Sequence, residues 1–236
     1  MADYQEYLKS EREKEWRAVL RKATPNKERT SLIRVKMPER EPLERIKYQD
    51  KEVNLGLTPE QAMAEARRCL DCPAPTCIEG CPVSINIPKF VKNIERGEFL
   101  EAAKTLKETS SLPAVCGRVC PQEKQCEAQC FYTLKMQKVP VAIGHLERFA
   151  ADFERESGQI SVPEIKTPNG IKVAAIGSGP ASLSFAGDMV KLGYDVTVFE
   201  ALHEIGGVLK YGIPEFRLPN NIVDVELQNL DRKSVV

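Results

Sequence analysis

The sequence predicts a multidomain fold, an all-α domain followed by an incomplete α/β domain of the Rossmann type. Three observations predict it. Apolar residues recur at helical spacing between 58 and 157. All eight cysteines lie inside that stretch, between 69 and 130. After a linker at 158–170 the pattern changes to strand, glycine turn, helix and strand. The expected division is an N-terminal arm at 1–57, a helical domain at 58–168, and the first part of the α/β domain at 169–236.

The arm is polar. Tyr4 to Lys22 reads as one helix with a sparse apolar set: Tyr4, Leu8, Trp16, Val19 and Leu20. Lys36 to Pro42 reads as extended chain, because Pro38 and Pro42 remove donors and disfavour helix before them. The composition leaves open whether this arm docks on a partner, docks on its own chain, or stays flexible. Thr58-Pro59-Glu60-Gln61 has the pattern of a capping box, with Pro59 at the first helical position. The helix it opens carries Ala62, Met63, Ala66 and Leu70 and runs into Cys69. A second helix follows Asn86-Ile87-Pro88 and stops near Gly97. A third carries Phe99, Ala102, Ala103 and Leu106. A fourth follows Val139-Pro140, carries Ile143, Leu146, Phe149, Ala150 and Phe153, and ends before Gly158. The cysteines fall in loops and at helix ends. Beyond the linker, Ile171 to Ile176 reads as a short buried strand, Pro180 to Leu192 as a helix stopped by Gly193, and Asp195 to Phe199 as a second strand.

Charge excludes some functions. The chain has 34 Lys+Arg against 34 Asp+Glu, so nothing electrostatic points to nucleic acid or an anionic membrane. No apolar run approaches the roughly 18 residues of a membrane span. Met1-Ala2-Asp3-Tyr4-Gln5-Glu6 has neither the basic start nor the apolar core of a secretory signal. A cytoplasmic chain is expected. Eight cysteines in a reducing compartment call for a metal or redox role.

The cysteine spacing is Cys69-x2-Cys72-x4-Cys77-x3-Cys81-Pro82, then Cys116-x3-Cys120-Pro121-x5-Cys126-x3-Cys130. Thiolates are the ligands of iron–sulfur clusters, four to each four-iron cluster, and Cys-Pro is a familiar close to such loops. Structural zinc prefers repeated Cys-x2-Cys pairs, often with His. Here there is one such pair, and His145 and His203 are not spaced with cysteines. A disulfide framework lacks the secretory context. Eight thiols favour two clusters over one, and spacing alone does not say how they are shared.

The second motif is Gly177-Ser178-Gly179-Pro180-Ala181-Ser182, between a strand and a helix, the context a dinucleotide fingerprint requires. Gly177 makes the tight turn, Gly179 admits a pyrophosphate, and Ser182 is small where helix meets strand. The helix start offers free N–H groups to phosphate. Glu200 ends the second strand, 23 positions after Gly177, where an acid accepts from ribose hydroxyls. An acid there argues against a 2′-phosphate, so FAD or NAD fits this turn and NADP does not.

Several segments resemble the N-terminal half of the small (β) subunit of NADPH-dependent glutamate synthase. They are Lys36-Met37-Pro38-Glu39-Arg40, Arg68 to Cys72, Gly80 to Val83, Cys116 to Glu123, Ile143 to Phe149 and Tyr211 to Pro219. The wider family includes the N-terminal region of dihydropyrimidine dehydrogenase and the large subunit of NADH-dependent ferredoxin:NADP oxidoreductase. The resemblance implies two [4Fe–4S] clusters with interleaved ligands. Cys69, Cys72, Cys77 and Cys130 hold one. Cys81, Cys120, Cys126 and the carboxylate of Glu147 hold the other, which leaves Cys116 spare. Residues alone suggest two four-cysteine sets, with Glu147 a solvated helix carboxylate. The resemblance also implies FAD at Gly177 to Ser182 and Glu200, with Gly206, Gly207 and Val208 near the flavin side and Arg217 in contact; as bare sequence these are a loop turn and a surface charge.

In such enzymes NADPH reduces FAD and electrons pass through the clusters to a partner. In glutamate synthase that partner is the large (α) subunit, which makes glutamate from glutamine and 2-oxoglutarate. The family's chain is about twice this length, and no second glycine fingerprint for NADPH occurs here. The chain is therefore expected to be truncated and to lack NADPH oxidation on its own. Two alternatives remain open: a non-catalytic iron–sulfur relay or docking module, and the flavin and iron–sulfur subunit of a related pyrimidine-reducing or electron-bifurcating oxidoreductase.

Overall fold

Capping residues set the helix starts that matter most for the fold. The computed structural model describes residues 2–231, so the last five positions of the expected 169–236 unit lie outside the described residues. The chain is helix-rich with one two-stranded parallel sheet. The arm forms α1 (Ala2–Glu13), α2 (Glu15–Ala23), α3 (Asn26–Arg29) and α4 (Pro42–Lys47). The helix expected over Tyr4 to Lys22 is broken, because Lys14 adopts an extended ψ of 137° and serves as N-cap of α2. Lys36 to Glu41 is extended as expected, and Glu39 bridges Asn54 antiparallel.

The helical domain holds α5 (Pro59–Ala66), α6 (Thr76–Glu79), α7 (Ile87–Glu95), α8 (Phe99–Lys107), α9 (Pro113–Val119), α10 (Phe131–Met136) and α11 (Ile143–Ser157). The capping box forms: Gln61 N–H donates to Thr58 Oγ1 at 3.3 Å, and Thr58 N–H to Gln61 Oε1 at 2.9 Å. Asn86 caps α7 through its side-chain oxygen, and Gly158 closes α11 at φ 70°. Phe90, Val91, Ile94, Leu106 and Leu146 are fully buried between α7, α8 and α11. Two glycines let α9, α11 and their neighbours approach. A Cβ on Gly117 would sit 2.5 Å from the Arg148 backbone nitrogen, and one on Gly144 would sit 2.3 Å from Gln122.

The arm docks on its own chain, through charge. Arg17 and Arg21 both bind the buried carboxylate of Asp71, and Arg12 donates to the Asp71 carbonyl at 2.8 Å. Arg29, also buried, grips Glu95 with two bonds of 2.8 and 3.0 Å and donates to the carbonyls of Leu20, Thr24 and Arg67. Buried Glu65 accepts from Val35 N–H, Ala142 N–H and Arg68, tying arm, α5 and the start of α11 together. Buried pairs of this kind fix geometry more dependably than they add stability.

The α/β unit contains β1 (Lys172–Ile176), α12 (Pro180–Lys191), β2 (Asp195–Phe199), α13 (Val208–Tyr211) and α14 (Asn220–Asp231). β1 and β2 are parallel, in register from Lys172 with Asp195 to Ile176 with Phe199. The first strand differs from its expectation as a buried one: only Ala175 is buried, and Ile176 is 80% exposed. The helix α12 covers one face of the pair, and no described element covers the other. A second core joins this unit to the helical domain, with Leu112, Val115 and Ala151 against Leu183, Leu218 and Val223. Gly187 of α12 lies so close to Ser111 that a Cβ would stand 2.6 Å from its Oγ. Among the described residues no helix is long and apolar enough to cross a membrane.

Candidate metal centres and nucleotide turn

The first thiol set surrounds one largely apolar cavity. Cys69, Cys72, Cys77 and Cys130 line it with Leu70, Ile87, Val91, Tyr132, Val141 and Ile143. Local structure delivers each thiol. Cys69 follows the end of α5, with its N–H on the Ala66 carbonyl. Asp71 takes a left-handed φ of 52°, which turns the loop so that Cys69 and Cys72 lie on the same cavity. Cys77 lies in α6, and Cys130 is the N-cap of α10. Burial pushes the Cys72 thiol up to about 12, aided by Cys69, Cys130 and Asp71. Cys77 is driven well above the ordinary thiol range by burial and by Cys69, Cys130 and Cys72. Such thiols are neutral until a cationic group enters, and metal binding then releases their protons.

The second set gathers around α9 and α11. Cys81, Cys120 and Cys126 share an electrostatic neighbourhood with Glu147. N–H groups of Ile85 and Val83 face the Cys81 sulfur and favour its thiolate against burial. Glu147 is buried, and its Oε1 has no hydrogen-bond partner. Burial, Cys120 and Glu226 hold its carboxyl well above the usual range. A buried, unpartnered carboxyl oxygen facing thiols is costly unless something cationic satisfies it. The donor set thus fits a metal cluster, and Glu147 is not the solvated carboxylate of the bare sequence reading. Cys116, in the middle of α9, hydrogen-bonds Cys120; that bond lowers the Cys120 thiol to about 7 and raises Cys116. The structure brings both Cys116 and Glu147 to this set. Among the described residues no three His, Cys, Asp or Glu side chains could hold a single metal ion. A cubane instead takes its ligands at separated corners around a void.

The glycine turn forms as its sequence implies. Gly177 has φ 86° and donates to the Phe199 carbonyl at 2.7 Å. Gly179 is the N-cap of α12 without a side-chain cap, and Pro180 is the first helical residue. The first helical bond is Leu183 N–H to Gly179 O, so the N–H groups of Ala181 and Ser182 precede the helix ladder. Ser178 is fully buried. Its N–H donates to Glu200 Oε2 at 2.9 Å, its hydroxyl bonds the same oxygen, and it accepts from Gly206 N–H at 3.0 Å. Leu202 N–H donates to the other Glu200 oxygen at 2.8 Å. These bonds, led by the Ser178 hydroxyl, lower the Glu200 carboxyl to about 2.

Gly207 comes against the turn: a Cβ there would stand 2.9 Å from Gly179 Cα, at a φ of 52°. Val208 follows as the first residue of α13. Arg217 is not drawn in. It is exposed on the loop before α14, and among the described residues its side chain has no ion pair or hydrogen bond. Sequence reasoning missed Ser178 as the strut between Glu200 and the Gly206 loop; the only signal was a small polar residue between two glycines.

Residues 45–159 match the family described as dihydropyrimidine dehydrogenase domain II, 4Fe-4S cluster, and residues 176–233 match an NAD(P)-binding Rossmann-like domain. Fold and domains together define an iron–sulfur oxidoreductase class of protein. Within that class the chain is related to the glutamate synthase small chains and to the dihydropyrimidine dehydrogenase subunits. It is 39% identical over 186 residues to the glutamate synthase [NADPH] small chain of Escherichia coli K12, covering 79% of this chain and 39% of that one. The small chain from Azospirillum brasilense is 32% identical over 201 residues, covering 85% and 42%. The NAD-dependent dihydropyrimidine dehydrogenase subunit PreT of Escherichia coli K12 is 40% identical over 185 residues, covering 78% and 44%. The chain spans less than half the length of these relatives.

Proposed function

We propose that the chain is the electron-transfer part of a glutamate synthase-type oxidoreductase, holding two [4Fe–4S] clusters and one FAD. One observation carries the reading. The donor groups divide into two sets, an apolar cavity lined by four thiols and a group of thiols around an unpartnered buried carboxyl. The second set shares α9 with the contact to the nucleotide unit, where Ala114 N–H donates to Glu226 at 2.8 Å. In this reading Cys69, Cys72, Cys77 and Cys130 hold one cluster. Cys81, Cys120, Cys126 and Glu147 hold the other, and Cys116 is a spare thiol bonded to Cys120. Gly177 to Ser182 receive the pyrophosphate of FAD, and Glu200 accepts from its ribose. Gly207 and Val208 flank the cofactor, and Arg217, exposed and with its side chain unpartnered among the described residues, is free to reach it. When bound, flavin exchanges a hydride for single electrons, which iron–sulfur clusters carry.

In the whole enzyme NADPH is the donor and the large subunit, which makes glutamate from glutamine and 2-oxoglutarate, is the consumer. A pyrimidine-reducing partner is the second reading, favoured by the comparable identity to PreT, 40% against 39%, and it uses the same residues of this chain. Both readings belong in the cytoplasm.

Anaerobic iron and sulfide quantification with flavin extraction tests the assignment: about eight irons and one FAD per chain are expected. Stoichiometric zinc instead of iron overturns it, and iron without flavin leaves the relay alternative. Cys116→Ser is expected to keep all the iron and Glu147→Ala to lose about half of it. The opposite pattern makes Cys116 the ligand. Restoring turnover with a glutamate synthase large subunit, or with a pyrimidine-reducing subunit, separates the two partners.

A further inference from the structure

The first thiol cavity has a thin outer wall, and the surface beyond that wall is basic. Leu70, Cys72 and Phe131 line the cavity and also line an open groove on the outside. The rest of the groove includes Pro73, Ala74 and Met136, together with Arg12, Arg21, Lys27 and Lys135, and it contains no acidic side chain. Arg21 shares the single buried carboxylate of Asp71 with Arg17. Lys27 and Lys135 are exposed and form no ion pair among the described residues, and half-buried Arg12, bonded to the Asp71 carbonyl, forms none either, so the groove carries net positive charge. Phe131, 42% exposed, lines the same groove. Exposed aromatic and apolar surface ringed by one sign of charge is the composition of a docking face with a polar rim.

We infer that this groove is where the electron acceptor docks, and that the acceptor presents an acidic surface around its own redox centre. The inference rests on the iron–sulfur reading and adds the place and sign of the contact. Opposite charge steers encounter and sets register, with an association rate that falls steeply as salt rises. Cys72 supplies proximity: it belongs to both the cavity and the groove, so a protein seated there is separated from the thiol set by a single layer of side chains. The transfer is one electron from the reduced chain to the oxidised acceptor, with no bond made or broken.

The test uses two haem proteins as acceptors, acidic cytochrome b5 and basic cytochrome c. The full chain is reduced, freed of excess reductant under argon, and mixed with each in a stopped-flow instrument. Haem absorbance is followed across a salt series. Cytochrome b5 is expected to be reduced fastest at low salt, with its rate dropping about tenfold or more from low to physiological ionic strength. Lys27→Glu combined with Lys135→Glu is expected to slow cytochrome b5 about tenfold at low salt and to leave cytochrome c unchanged or faster. Both lysines are exposed and outside the thiol sets, so iron content serves as the folding control. A salt-independent b5 rate, or a double variant with unaltered rates and full iron, overturns the docking site. A chain without iron overturns the underlying reading instead, and it delivers electrons to neither haem protein.

Discussion

The helical domain and the α/β unit are held by different means. The helical domain has charge buried inside it. Arg17, Arg29, Lys92, Glu65 and Asp71 are essentially inaccessible, and each has at least one partner more than twenty residues away in the chain. The α/β unit buries almost no charge around its turn. It relies on backbone shape, with Gly177, Gly206 and Gly207 at positive φ and Ser178 bracing the loop. Its two strands leave Ile176 and Phe199 exposed, and a two-stranded sheet is marginal without packing partners. A thiol site must be rigid in every direction around a void. A pyrophosphate turn must instead let backbone come close to ligand.

The contrast can be broken from the helical side. Arg29→Met removes one partner of a buried pair and leaves Glu95 with Lys92 alone. Urea denaturation is expected to show a loss of about 3–5 kcal/mol, and a loss under about 1 kcal/mol would mean that the interior charges are not what holds this half. On the other side, Gly207→Ala puts a Cβ against Gly179 and strains the backbone by about 1–3 kcal/mol. Flavin fluorescence titration is expected to show affinity at least about tenfold weaker, with iron content unchanged. Thr58→Ala removes the capping box that starts the helix before Cys69. A cost of about 1 kcal/mol in thermal or urea unfolding is expected, with no change in flavin binding.

The smallest effect concerns pH. Glu200 has its folded value lowered from 4.5 to about 2 by Ser178 and its neighbours. A depressed carboxyl contributes fully above its ordinary value, and the contribution fades as pH falls from there toward about 2. Between pH 8 and 5, flavin affinity is therefore expected to carry no transition from Glu200, which a titration comparing wild type with Glu200→Gln checks.

Local signals were legible and long-range ones were not. The Thr58 cap, the Gly158 stop and the strand from Asp195 to Phe199 follow from a few adjacent residues, and all form where expected. The helix at Pro113–Val119 was missed, since its seven residues include a glycine and a cysteine and show no apolar period. The arm's docking was invisible for another reason: Arg17 and Asp71 are 54 residues apart, and polar composition reads the same for a free tail and for a buried clamp. Burial of β1 was overread, because an apolar run states what a strand could bury and not what stands beside it. At the thiol sites, spacing gave the donors, and only the fold could show Cys116 and Glu147 arriving together.

The clamp on Asp71 has a consequence for how the protein matures. The carboxylate that Arg17 and Arg21 seize sits between two cavity-lining cysteines, in a backbone conformation that few side chains adopt willingly. The helices α1 and α2 therefore act as a keystone laid over the thiol-lined pocket. Trimming them as a dispensable leader would release the loop carrying Cys69 and Cys72, and in the proposed reading iron would be lost from a set some fifty residues beyond the cut.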